Sequence, residues 1–182
     1  MSKWTYILAG ISCAIAAVCV YLLVDTSPKF PPGGYCAFCD QEVLNRQKFY
    51  EDDLVLALYT HKPVLPGHCL VIPRRHVERF ENLTDEEITQ MGRVIRKVNQ
   101  AAMQVFKTSS YLLLQKNGLE VGQTVPHVHF HYIPREAGDS SVLKFIIQMY
   151  LANAGKPLPA AEMQKIVAEM KAAMESLKVL NR

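Results

Sequence analysis

Hydrophobic positions change their period several times along this chain, and each change predicts a different element. From Tyr6 to Val24 there is no period: nineteen residues in a row carry no charge, and only Ser12 is clearly polar. As a helix this run would rise ~28 Å, about one hydrocarbon thickness. It predicts a retained single-pass N-terminal transmembrane helix rather than a cleaved signal peptide. No small-x-small site follows the run before Asp25-Thr26-Ser27-Pro28, and Val18 before Cys19 is a poor lipobox residue. Lys3 and Lys29 lie on opposite sides of the run and set no orientation. Pro28, Pro31, Pro32, Gly33 and Gly34 then make a tether that cannot continue a helix.

From Cys36 the pattern is that of a folded domain. Leu54 to Tyr59, Cys69 to Ile72 and Tyr111 to Gln115 read as short strands bracketed by Pro and Gly. Thr84-Asp85-Glu86-Glu87 is a capping box, and Ile88, Met91, Val94, Ile95, Val98, Ala102 and Val105 follow at helical spacing. After a loop containing Gly118 and Gly122, Pro126 to Pro134 alternates His with apolar residues, which predicts another strand. Beyond Gly138, Val142 to Leu151 is apolar but too short to span a bilayer. Pro157-Leu158-Pro159 opens a last amphipathic helix with Met163, Ile166, Met170, Met174 and Leu177 on one stripe. That stripe is expected to pack on its own domain or on a partner copy. The predicted organisation is an anchor over 1–25, a linker over 26–35, a domain over 36–139 and an extension over 140–182.

Composition changes this picture little. The chain has 182 residues and a formal net charge of +3, with a pI near 8.6. That is too mild, and too evenly spread, to argue for nucleic-acid binding. Of five Cys, Cys13 and Cys19 belong to the apolar run and Cys69 to a buried strand, leaving Cys36 and Cys39 as a C-x-x-C pair.

Candidate chemistry concentrates at His127, His129 and His131, half of the six His in the chain. On a strand all three would project from one face, with Val128, Phe130, Tyr132 and Ile133 holding the other in a core. Imidazoles crowded in this way repel one another when protonated, so the cluster points to a metal, a phosphate or a proton transfer. The preceding loop, Lys116 to Val125, holds Gly118, Gly122 and Thr124 and reads as a phosphate cradle. His68 and His76 flank the Cys69 strand, and two His with Cys36 and Cys39 make a donor set suited to zinc. The surroundings lack the strand-into-helix pattern of a redox C-x-x-C.

His127-Val128-His129-Phe130-His131-Tyr132-Ile133 resembles the signature of the histidine triad (HIT) superfamily. Gly122 to Val125, Lys62 to Pro73, Val77 to Phe80 and Ile133 to Asp139 are also similar to that family, most of all to its fragile histidine triad, dinucleoside-polyphosphate hydrolase branch. The resemblance implies an α+β fold with a five-stranded antiparallel sheet, often a homodimer, here preceded by the transmembrane helix. It implies nucleotidyl transfer in which His129 attacks the α-phosphorus of a dinucleoside polyphosphate or nucleoside phosphoramidate. His131 and His68 would complete the catalytic group, while Lys116, Asn117, Gln123, Thr124 and His131 would bind the nucleotide phosphates. As in bacterial members with a C-x-x-C, Cys36, Cys39, His76 and His127 would bind zinc structurally. The sequence departs from the family at Lys116, where Asn or Gln is usual, and at Thr60, where the dinucleotide-hydrolysing branch carries a sugar-contacting Asn. The expectation is thus a membrane-tethered nucleotide hydrolase on the cytoplasmic face. The alternatives are a low-turnover nucleotide-binding scaffold and a catalytic metal site.

Overall fold

The computed structural model describes Phe30 and residues 34–135, 141–152 and 155–180. Asp40 caps the first helix, α1 (Gln41–Gln47), by accepting from the Glu42 and Val43 N–H groups. The helix leads into β1 (Lys48–Glu51) and β2 (Val55–Tyr59). In the turn between these strands the Asp52 carboxylate accepts from the Leu54 and Val55 N–H groups at 3.0 and 2.8 Å. β3 (Cys69–Pro73) follows, then the long α2 (Asp85–Phe106). Its capping box is closed in both directions: Glu87 N–H donates to Thr84 Oγ1, and Thr84 N–H donates to the Glu87 carboxylate. β4 (Ser110–Gln115), β5 (Phe130–Arg135), α3 (Val142–Ala152) and α4 (Ala160–Leu180) complete the fold.

The five strands form one antiparallel sheet in the order β1-β2-β3-β5-β4. Side-chain alternation divides it into two faces. Ala57, Tyr59, Val71 and Tyr132 point to a core shared with Met91, Val94 and Val98 of α2 and with Met163, Met170 and Met174 of α4. Leu56, Leu58, Leu70 and Ile72 point the other way, against Cys36 and Phe38. The final helix therefore packs on its own domain. The apolar run after Gly138 is also a helix, α3, and cation–π contact ties it to the sheet: the Arg135 guanidinium sits 4.3 Å from the Phe145 ring centroid.

Two expectations are corrected. Among the described residues no helix is long and apolar enough to cross a membrane. α3 is the apolar one but has 11 residues, and α2 carries Asp85, Glu86, Glu87, Arg93, Arg96 and Lys97 within its 22, whereas a span needs ~20 apolar residues in succession. The fold is thus a five-stranded α+β domain without a described transmembrane helix, and the expected anchor, membrane partner and membrane location are not retained. The segment Tyr6 to Val24, where that helix was expected, lies outside the described residues. The second correction concerns the His strand, which begins only at Phe130. Before that point the chain pairs elsewhere, with Val128 N–H donating to the Val77 carbonyl at 2.6 Å. Ile133 also turns to the His side, where it lines the cavity described next.

Candidate active site and metal centre

The sheet face opposite α2 and α4 carries the cluster. His131 pairs with Leu70 of β3 in the ladder and so shares its face. His129 stands beside it, ring centroids 4.9 Å apart. Phe38 packs edge-on against both His127 and His129. A cavity of about 710 Å³ opens over this face, lined by His68, His129, His131, Lys116, Thr124 and Thr60 among others. That volume suits a ligand larger than a mononucleotide's phosphate alone. Arg46, Lys62 and Lys116 supply cations, and no carboxylate is found among the described lining residues. Such a lining selects for an anion.

Hydrogen bonds settle the tautomers. His129 Nδ1–H donates to the His127 carbonyl at 2.7 Å, because a carbonyl can only accept, and this leaves the Nε2 lone pair bare. Val64 N–H donates to His68 Nδ1 at 3.1 Å, so His68 carries its proton on Nε2 and donates it to His131 Nδ1 at 2.9 Å. His131 in turn must carry its own proton on Nε2. One backbone N–H thus orients two imidazoles in series.

Burial holds these rings neutral. Desolvation is the largest influence on His68, pushed down to about 3, with the neighbouring His129 adding to it. Desolvation likewise lowers His131 to about 2, assisted by His129, His68 and Lys116. It lowers His129 as well, with Lys116 acting in the same sense. The arrangement presents one neutral nitrogen nucleophile and one neutral N–H donor side by side, next to a lysine.

Cys36, Cys39, His76 and His127 gather beside this cavity, their ligand atoms all within 4.8 Å of one another. Cys36 Sγ lies 3.4 Å from His127 Nδ1, and Cys39 Sγ 3.3 Å from His76 Nδ1. A tetrahedral ion with Zn–S near ~2.3 Å and Zn–N near ~2.0 Å demands ligand separations of roughly 3.3–3.8 Å. His127 Nε2–H donates to the Pro73 carbonyl at 2.9 Å, which leaves Nδ1 free to ligate. Four donors from three separate segments can therefore hold a metal ion. Burial also pushes the Cys36 thiol up to about 11, with Cys39 adding to it, as expected for a sulfur that ionises only beside a cation.

Other expected residues take different places. Gln123 is buried, accepts from Gly118 N–H at 2.7 Å and donates to the Glu78 and Val125 carbonyls. Asn117 accepts from Phe80 N–H and donates to Glu81. Both hold the glycine loop in shape, and neither lines the cavity. Lys116 and Thr124 of the same loop do. Sequence reasoning missed Met149, Ala152, Leu158 and Met163, which close the cavity from α3 and the start of α4. The apolar run over 142–151 was the available signal, but nothing in its period told which way it faced.

The family model described as HIT domain matches residues 41–138. The bis(5'-nucleosyl)-tetraphosphatase [asymmetrical] of Schizosaccharomyces pombe is 46% identical over 109 residues, covering 60% of this chain and 60% of the relative. The chain therefore spans less than two thirds of that relative's length. The bis(5'-adenosyl)-triphosphatase of Dictyostelium discoideum is 34% identical over 132 residues, covering 71% of this chain and 87% of the relative. Among solved structures, a hypothetical histidine triad nucleotide-binding protein of Sulfolobus tokodaii is similar with a TM-score of 0.64 and 25% identity, over 79% of this chain and 94% of that one. With a matching family model over more than half of the chain and a relative matched over 87% of its length, this chain belongs to the HIT family.

Proposed function

We propose that the protein is a HIT hydrolase that cleaves a dinucleoside polyphosphate at its α-phosphate. The carrying observation is the bare Nε2 of a neutral, buried His129 in a cavity lined by cations. In this reading His129 Nε2 attacks the α-phosphorus, forming an N–P bond while the bond to the bridging oxygen breaks and the remaining polyphosphate departs. Lys116 and the Thr124 hydroxyl neutralise and hold phosphate oxygens. Water then attacks the phosphorus, the N–P bond breaks, and free His129 returns with a nucleoside monophosphate released. The names of the fission-yeast and Dictyostelium relatives support this substrate class.

His131 refines the choice of substrate. Burial keeps it neutral, so its Nε2–H serves as a hydrogen-bond donor rather than as a strong acid. A polyphosphate leaves as a stable anion and needs only such a donor, whereas the amine of a phosphoramidate must be protonated. The site therefore favours the polyphosphate over the phosphoramidate.

The Cys36, Cys39, His76 and His127 group is proposed to hold structural zinc. Zinc there would pin the segment around Cys36 to the sheet, keep Phe38 against His129, and fix the His127 backbone whose carbonyl orients the nucleophile. The test is a rapid denaturing quench at alkaline pH with labelled diadenosine tetraphosphate. Wild type should carry label on the protein, and His129→Ala should carry none and lose at least a hundredfold in kcat, ~2.7 kcal/mol. Turnover by His129→Ala above about a hundredth of wild type would refute covalent catalysis through this residue. Wild type that binds nucleotide without turning it over would be a binding module instead.

A further inference from the structure

The family match ends at residue 138, yet one wall of the cavity is built from chain beyond that point. α3 has an inner stripe of Phe145, Met149 and Ala152, spaced four and three residues apart on one helix face. Phe145 is buried and stacks on Arg135, which holds the helix over the end of β5. Met149 and Ala152 then line the cavity. The chain returns through Leu158, whose N–H donates to the His61 carbonyl at 2.9 Å. Met163, in the first turn of α4, lines the cavity as well and is buried in the main core.

We infer that Met149, Ala152, Leu158 and Met163 form the platform that receives a purine base of the substrate and so set base selectivity. Phosphate chemistry gathers at Lys116, Thr124, His129 and His131, all polar, while this wall, Gln164 apart, contributes apolar side chains. A nucleotide has the same division: a charged phosphate chain at one end and a flat, polarisable ring at the other. Thioethers of Met149 and Met163 and the Leu158 side chain suit the ring face, and Ala152 leaves the depth that a bicyclic base requires. The wall is anchored at both ends, so it is formed before substrate arrives and costs little ordering on binding. The inference rests on the nucleotide reading of the same cavity.

Full-length Ala152→Trp and Met149→Ala test it by steady-state kinetics on diadenosine and diuridine tetraphosphates, with thermal melts to confirm folding. Ala152→Trp should raise KM for the diadenosine compound at least tenfold with kcat within threefold, and should affect the diuridine compound less. Met149→Ala should reduce the wild-type preference for adenine over uracil at least threefold. Unchanged KM and unchanged base preference in both folded variants would overturn the inference, as would a fall in kcat alone. If Ala152→Trp does not fold, the base preference of Met149→Ala decides. Wild type inert on both compounds would instead defeat the hydrolase reading.

Discussion

A single hydrogen bond from His129 Nδ1–H to a carbonyl decides which nitrogen of the central histidine can react. The His68–His131 pair shows the energetic consequence of such placement. Both rings have folded-state pKa values well below the ~6.5 of an unfolded chain, so below that pH the unfolded state binds more protons. Stability contributed by the neutral pair is complete above pH ~6.5 and is lost as pH falls, by up to ~1.4 kcal/mol per unit for each ring. Denaturant melts between pH 6.5 and 5, above most carboxylate titration, should show this slope. His68→Gln keeps an acceptor for Val64 N–H and a donor for His131 but cannot titrate, so its slope should be shallower by on the order of 1 kcal/mol per unit. Identical slopes in the two proteins would contradict the assignment.

At the scale of elements, the segment around Cys36 and Cys39 has little regular structure of its own before α1. Its hold on the sheet comes from Phe38 in the smaller core and from the four-donor cluster. Replacing both cysteines by serine should abolish bound zinc in elemental analysis and lower Tm, because a metal that binds only the folded state stabilises it directly. Retention of a stoichiometric ion after both sulfurs are gone would place the metal elsewhere. The long helix α2, by contrast, was legible from the chain alone. Thr84 and Glu87 satisfy its first N–H groups locally, and its stripe repeats at helical spacing. α1 and β1 were not, because seven-residue and four-residue elements are too short for a period to emerge.

For the molecule as a whole, the segment after residue 140 is part of the domain. Met170 and Met174 of α4 are almost completely buried against α2 and the sheet. Met170→Ala should therefore destabilise the whole domain by ~2–5 kcal/mol, with one cooperative transition rather than a separate melting of the tail. A loss below ~1 kcal/mol would mean that α4 docks only weakly. The outer stripe of α3, Leu143, Ile146, Ile147 and Leu151, stays exposed. The edge strand β4 likewise exposes Tyr111, Leu112 and Leu113.

Chemistry that depends on residue type and short spacing was determined by the sequence. Three histidines at alternate positions, a C-x-x-C and a glycine loop specify the family, because each needs its donors within a few residues of one another. Long-range pairing belongs to tertiary structure. Only the folded chain brings His68 to His131 and closes His76 and His127 around the two cysteines. Only there do Gln123 and Asn117 turn away from the cavity to satisfy backbone groups that burial would otherwise leave unpaired. The direction in which α3 faces was also decided there, since Lys144 and Gln148 are its only clearly polar side chains and apolar residues on both flanks leave open which side meets the site.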